Sequence, residues 1–384
     1  MDFRYSEEQL ALQDTLQKFI SREYDFAQRR VFARTPLGYS AEAWDRYAGL
    51  GLLALPFPEE FGGLGGSCVD IMVVMAEMGQ GLLLEPYLST VVLCGGLIRD
   101  AATSEMKHAL LPPIAAGKCR IALAAYEARG RFDLAHVACS AVDKGGRWRL
   151  SGRKDVVLDA PSADYFIVSA RTRGAVNDVA GISLFLVPRA ATGLTMFEYA
   201  TQSGGKAADL QLTDVTLSSE SVIGAVGQGF DAVQRAVDSG IAALSAEALG
   251  IVTALNLLTL NYLKTRKQFG VPIGTFQVLQ HRMADMYIAA EQTRSMAIIA
   301  ALQVDGADSA TRTRTLSGVK AYVGEAIRFV GQQAVQLHGA MGVVDEMIVG
   351  HYFKRLTMID MCFGDADYHL ARFSDAASFA TDPE

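Results

Sequence analysis

The sequence predicts a multi-domain α+β protein laid out as helices, then strands, then a helical bundle. Three observations predict it. Apolar residues recur at helical spacing through the first 120 or so residues, short β-prone runs separated by turn residues follow, and from about Gly229 onward come three long amphipathic stretches with few breakers. The expected division is 1–120 as an N-terminal helical domain, 121–225 as a middle antiparallel β domain and 226–384 as a C-terminal helical bundle.

In the first part, Leu10, Leu12, Leu16, Phe19 and Ile20 are spaced as one helix from Ser6 to about Arg34, with Ser6 an N-cap ahead of Glu8 and Gln9. Trp44 to Leu53 reads as a second helix, stopped by Pro56 and Pro58. After the turn FGGLGGS, Val69 to Met78 is helical again, and Ala101 to Ala116 adds a short helix. The pattern then changes. Trp148 to Leu150, Asp155 to Leu158, Tyr165 to Ala170, Ile182 to Val187, Leu194 to Tyr199 and Ala208 to Leu212 read as strands divided by Gly, Asp, Asn and Pro. Phe230 to Thr265, Thr275 to Asp305 and Thr311 to His338 read as the long bundle helices.

Composition narrows the class of function. In 384 residues, 50% are apolar and 20% charged, which excludes a disordered chain and leaves ample material for enclosed pockets. A net charge of -7 argues against nucleic acid or an anionic membrane as partner. The five cysteines, Cys68, Cys94, Cys119, Cys139 and Cys362, are scattered without a CxxC pair and read as reduced thiols. Apolar stretches such as Tyr87 to Ile98 fall short of the roughly 18 residues a bilayer span requires, and the start MDFRYSEEQL is polar, so no membrane span and a cytoplasmic location are expected.

Several familiar motifs do not apply. GAVGQG at 224–229 has neither GxGxxG nor P-loop spacing and reads as a loop before a helix. The six histidines form no HExxH and no ligand-spaced pair with a third partner, so no metal is expected, and no GxSxG elbow marks a hydrolase.

Three stretches resemble the acyl-CoA dehydrogenase family: AGLGLLALPFPEEFGGLGGS at 48–67, TRKQFGVPIGTFQVLQHRMADM at 265–286 and QLHGAMGVVDE at 336–346. The likeness covers essentially the whole chain and implies a helical domain, a β domain and a C-terminal four-helix bundle, the order read above. It implies FAD bound across a subunit interface, with Arg266, Phe269 and Gln277 approaching its pyrophosphate and adenosine half and Gln336, Gly339 and Ala340 its adenine. An arginine fork suits pyrophosphate oxygens, and small residues let backbone come close. The implied reaction oxidises an acyl-CoA between Cα and Cβ, with a carboxylate as base and electrons passing to an electron-transfer flavoprotein.

The chain departs from the family pattern where the base belongs. Counting from the third stretch places Phe363 of CFGDAD at the usual glutamate, and counting back from RKQFG places Gly240 at the alternative one, followed by Ile241. Asp238 stands at a position used for the CoA arm. Glu247, among small and apolar neighbours in AALSAEALGIVTAL, projects from the same face as Gly240, about 10.5 Å along the axis. It is the candidate catalytic base if burial raises its pKa, or a structural carboxylate paired with Arg235 or Arg294. Asp365 and Asp367 are weaker candidates that read as capping or solvated residues.

In the β part, the flavin-facing TEPxxGSD segment of the family reads YEARGRFD at 126–133, keeping Glu127 and Asp133, and its WITN strand reads VVLD at 156–159. These changes, with a GHYFKRL and FGDAD tail similar to small subunits of the pimeloyl-CoA dehydrogenase type, point to a homo- or hetero-oligomer with a homologous chain acting in lipid catabolism and β-oxidation. Such heteromers take bulky steroid-derived or dicarboxylic acyl-CoA esters. Two other readings stay open: a non-catalytic subunit that completes a partner's FAD site, and an oxidase or monooxygenase using O₂ on the same fold.

Overall fold

A computed structural model describes residues 5–306 and 308–376. The first four residues of the polar N-terminal stretch lie outside it.

The predicted first helix is two. Helix α1 (Glu7–Glu23) opens on a capping box in which the Ser6 and Gln9 side chains satisfy each other's backbone N–H groups. It ends at Tyr24, and Asp25 accepts from the Gln28 N–H to start α2 (Phe26–Phe32). Helices α3 (Ala41–Gly49), α4 (Cys68–Gly81), α5 (Gly96–Ala101) and α6 (Ser104–Ala115) follow. The apolar stretch before α5 winds as a buried π-helix over Leu88–Gly95.

The sheet is built from β1 (Ile121–Ala124), β2 (Ser140–Asp143), β3 (Arg147–Leu158), β4 (Tyr165–Arg171), β5 (Ile182–Pro188), β6 (Leu194–Ala200), β7 (Lys206–Ser218) and β8 (Val222–Ile223). Its order is β6-β7-β3-β2-β4-β5-β8, with β1 beside β4. Most pairs are antiparallel as expected, but β1 and β2 both run parallel to β4, so the sheet is mixed. The two runs expected around Gly152 are one strand, β3, interrupted by irregularities between Leu150 and Gly152 and between Lys154 and Val157. Leu150, Phe166, Phe185, Leu210 and Val215 form the centre of its core.

Helix α7 (Phe230–Thr265) leads to a small hairpin, β9 (Lys267–Gln268) and β10 (Val271–Pro272), then α8 (Gln277–Gly306), α9 (Ser309–His338), α10 (Ile348–Met361) and α11 (Ala366–Ala376). Contrary to the expectation from apolar runs, α7 is long and apolar enough to cross a membrane by length and composition. However, 78% of its most apolar window is buried inside the protein, as in a core helix.

Two compact units contain these elements. One comprises the described residues within 5–30, 68–83 and 241–376, so that α1 and α4 belong with the long C-terminal helices; there α9 packs against α8, α10 and α11, and α4 against α1 and α8. The other comprises 31–67 and 84–240 and holds the sheet.

Candidate functional site

The segment after α7 turns sharply because its sequence is KQFGVP. Gln268 pairs with Val271 and Lys267 with Pro272, leaving Phe269 and Gly270 as a two-residue turn with φ of +54° and +83°. Positive φ at both positions is the hairpin turn that suits Asn-Gly or Gly-Gly, and a phenylalanine there is strained. Phe269 is nevertheless 92% exposed, and its ring meets the edge of Phe276 with centroids 6.2 Å apart. The Arg266 backbone ties this hairpin to the helix end: its N–H donates to the Tyr262 carbonyl and its carbonyl accepts from Ile273, both at 2.8 Å.

Helix α9 ends at Gly339, whose φ of 60° and ψ of -139° only glycine adopts readily. A Cβ at Gly339 would meet nothing within 4 Å, and Gly339 and Ala340 face solvent. One position earlier, His338 is 4% exposed and lies flat on Tyr262, with ring centroids 4.5 Å apart and planes 28° from parallel. The stack brings the Arg266 and Gln336 segments together, although 70 residues separate those two positions in the chain.

Arg266, Gln277 and Gln336 are exposed, and their side chains make no hydrogen bond or ion pair among the described residues. A free guanidinium, two free amides, an open glycine and an exposed aromatic ring are a donor set suited to the pyrophosphate and adenine of FAD. The residues present therefore fit that half of the cofactor.

Glu247 was weighed as a base or as a structural carboxylate paired with an arginine. It is 4% exposed, and both of its oxygens are held by the Arg355 fork of α10, at 2.5 Å and 2.7 Å. The partners anticipated for it are elsewhere: Arg235 pairs with Asp100 at 3.1 Å, and Arg294 with Glu291 at 3.5 Å. The carboxylate is paired with an arginine, as in the second of the two readings weighed for it, but through Arg355 rather than Arg235 or Arg294. The Glu247 backbone lies at a close crossing of α4 and α7. A Cβ on Gly79 would come within 2.1 Å of the Glu247 carbonyl oxygen, and one on Gly250 within 1.8 Å of the Ala76 carbonyl oxygen.

Asp238 is 1% exposed and accepts from Gln234 Nε2 at 2.8 Å, so in this chain it is enclosed rather than open to a CoA arm. Gly240 and Ile241 are buried and carry no acid. Phe363 is 8% exposed in the left-handed region at φ 62°, with its carbonyl oxygen 3.0 Å from His369 Nε2. Asp365 caps α11 by accepting from the Tyr368 N–H, the capping role weighed for it, while Asp367 lies exposed in the first turn.

In the sheet unit, both acids kept from the flavin-facing segment hold the scaffold. Burial would raise the Glu127 pKa, but Lys154 at 2.7 Å and the backbone N–H groups of Ala138 and Cys139 hold it below the usual carboxylate value. Asp133 accepts from the Ala135 N–H. Val156, at the irregularity in β3, is 57% exposed with φ 52°, a conformation a β-branched residue rarely takes. Asp159, at φ 57°, accepts from the Ser89 hydroxyl.

Sequence reasoning missed Arg355, Tyr262 and His338. Tyr262 carried a usable signal, since it precedes Arg266 by one helical turn. Arg355 carried none, because nothing local in HYFKRLTMID marks a residue whose partner lies 108 positions away. A cavity of about 590 Å³ runs along α8, α9 and α11, from Thr311 to Phe373, and none of the candidate residues lines it. No group of metal-ligating side chains occurs among the described residues.

Known proteins match this architecture along its length. Family models for acyl-CoA dehydrogenase match residues 6–118 (N-terminal domain), 122–217 (middle domain) and 227–377 (C-terminal domain). The human mitochondrial short-chain specific acyl-CoA dehydrogenase is 28% identical, with 93% of this chain and 88% of that protein covered. The CarC subunit of the caffeyl-CoA reductase-Etf complex of Acetobacterium woodii is 29% identical over 82% of this chain and 84% of its own. A solved variant of the Tcur3481-Tcur3483 steroid ACAD superposes with a TM-score of 0.87 at 30% identity, covering 96% of this chain and 97% of that one. With three successive family models spanning the described helices and sheet, and with the RKQFG and QLHGAMG segments brought together in space, the chain belongs to the acyl-CoA dehydrogenase family.

Proposed function

We propose that this chain is a subunit of an FAD-dependent acyl-CoA dehydrogenase that introduces a Cα=Cβ double bond into an acyl-CoA thioester. The observation that carries the reading is the paired surface of Arg266, Phe269 and Gln277 with Gln336, Gly339 and Ala340, exposed and uncommitted and joined by the Tyr262–His338 stack. FAD, when bound, accepts the hydride equivalent that leaves Cβ. Arg266 would hold the pyrophosphate charge, the Gln277 and Gln336 amides would orient the nucleotide, and the open backbone at Gly339 would admit the adenine. In this reading Glu247 takes the Cα proton onto a carboxylate oxygen, which requires the Arg355 fork to release that oxygen.

The fork favours a second reading, in which Glu247 is structural and the chain completes the FAD site of a homologous partner. Phe363 and Gly240, where the family carries acids, favour it too. The CarC relative is named as part of an Etf complex, which supports an electron-transfer flavoprotein as the electron acceptor here. The steroid ACAD relative supports a steroid-derived acyl-CoA as the first substrate to try, ahead of dicarboxylic esters.

The test is to purify the chain alone and together with a homologous partner, and to record flavin content and bleaching by acyl-CoA. Stoichiometric flavin that bleaches in the chain alone establishes a self-sufficient enzyme, and flavin that appears only in the pair establishes the heteromer. If neither preparation holds flavin, the proposal fails.

A further inference from the structure

The two cofactor-facing segments are held together by a contact between His338, inside the QLHGAMG stretch, and Tyr262, which lies just outside the TRKQFG stretch. Tyr262 sits on α7 one turn before Arg266, and its carbonyl accepts the Arg266 N–H at 2.8 Å, so a shift of the tyrosine moves the arginine backbone. His338 sits between Gln336 and Gly339, and its Nδ1 lies 2.8 Å from the Ala334 carbonyl. That contact requires a proton on Nδ1, which fixes the ring plane along α9. His338 is 4% exposed, and no charged partner in the described residues accounts for its burial. What covers it is the Tyr262 face, stacked at 4.5 Å and 28°. The residues flanking this pair, Arg266 on one side and Gln336, Gly339 and Ala340 on the other, are all exposed. A partly buried brace thus lies beside an exposed row of uncommitted groups, an aromatic stack between α7 and the end of α9.

We propose that Tyr262 and His338 are positioning residues whose stack presets the spacing between the Arg266 segment and the Gln336–Ala340 segment, so that both meet one adenosine pyrophosphate ligand without rearrangement. The inference rests on the reading of this surface as the nucleotide-binding side of the FAD site. A preset spacing saves the ordering cost of bringing two segments together at the moment of binding, so its loss is read in affinity more than in fold stability. The stack requires the aromatic face of residue 262 and does not require its hydroxyl.

The test uses the assembled protein stripped of flavin, titrated with ADP, which carries adenosine and pyrophosphate without the isoalloxazine, and separately with FAD. Tyr262→Leu is expected to weaken both ligands about tenfold, the upper range for an aromatic pair. Tyr262→Phe and His338→Phe keep a stacked ring pair and are expected to bind both ligands within about threefold of wild type. Thermal unfolding of the ligand-free proteins, followed in parallel, is expected to change little for Tyr262→Leu, because Tyr262 is only partly buried. The proposal is overturned if Tyr262→Leu binds ADP and FAD as wild type does, if Tyr262→Phe loses as much as Tyr262→Leu, or if the loss of affinity is matched by loss of the fold. Wild-type protein that binds neither ADP nor FAD overturns the cofactor surface itself, a failure distinct from all three.

Discussion

Replacing Arg355 with methionine would leave the Glu247 carboxylate, 6% exposed by its side chain, with no counter-charge. Breaking a buried pair by removing one partner costs about 3–5 kcal/mol, because the remaining charge keeps its desolvation penalty. Arg355 is itself 22% exposed, so water can reach part of the gap and the lower end, about 3 kcal/mol, is the expected loss. Glu247→Gln removes the charge and keeps a hydrogen-bonding oxygen for the guanidinium, for an expected loss of about 1–2 kcal/mol. The double variant has neither charge and is expected to be more stable than Arg355→Met alone. Urea unfolding of the four proteins gives the coupling energy, expected to exceed about 1.5 kcal/mol. Coupling below about 0.5 kcal/mol would refute the structural account of this pair. Turnover of the same proteins separates the two roles: loss of a general base costs about 100-fold or more, whereas a structural carboxylate leaves turnover in folded Glu247→Gln within about tenfold.

Other expectations follow from neighbouring features. Phe269→Asn places a favoured residue in the two-residue turn, so ligand-free stability is expected to hold or rise by about 0.5–1 kcal/mol while retained flavin falls, measured by thermal unfolding and visible absorbance. Gly250→Ala would put a methyl 1.8 Å from the Ala76 carbonyl oxygen, and urea unfolding is expected to show a loss of about 3 kcal/mol. Glu77 is 3% exposed, with Oε1 bonded by Gln13 and Gln17 and Oε2 without a hydrogen-bond partner among the described residues, and burial raises its pKa from 4.5. The folded state then binds this proton more tightly than the unfolded one, so its contribution to stability is fully present below pH 4.5 and is lost as pH rises through the higher folded value. Glu77→Gln is expected to flatten that part of the stability profile, and a stability profile as steep as the wild type's across that range would contradict the assignment.

Local patterns made most of the fold legible. Ser6 announced the N-cap that the structure completes as a capping box with Gln9, and Phe230 to Thr265 was bounded as a helix from its amphipathic run with few breakers. Asp25 interrupted a helix that apolar spacing ran through, because one side-chain cap outweighs a periodic signal that is weak between Ile20 and Arg34. The short strands β1 and β2 escaped notice, since four residues give too little alternation: β1 is fixed by its parallel partner β4 and β2 mainly by its antiparallel partner β3. Arg266, Gln277 and Gln336 were singled out by motif and lie exposed in the structure, but the surroundings of Glu247 were not legible. Its environment comes from α10 and α4, and no sequence window holds the three together.

The crossing of α4 and α7 through Gly79 and Gly250 limits how this protein can change over generations. Most packed positions can drift in pairs, one side chain growing as its neighbour shrinks. Here each glycine faces a main-chain oxygen, Glu247 or Ala76, and a carbonyl has no smaller version to substitute. No second-site change of residue type can compensate for a side chain at either position. The two glycines would therefore vary alone or not at all, and a set of related sequences should show them as fixed positions with no covarying partner, even where Glu247 and Arg355 change together.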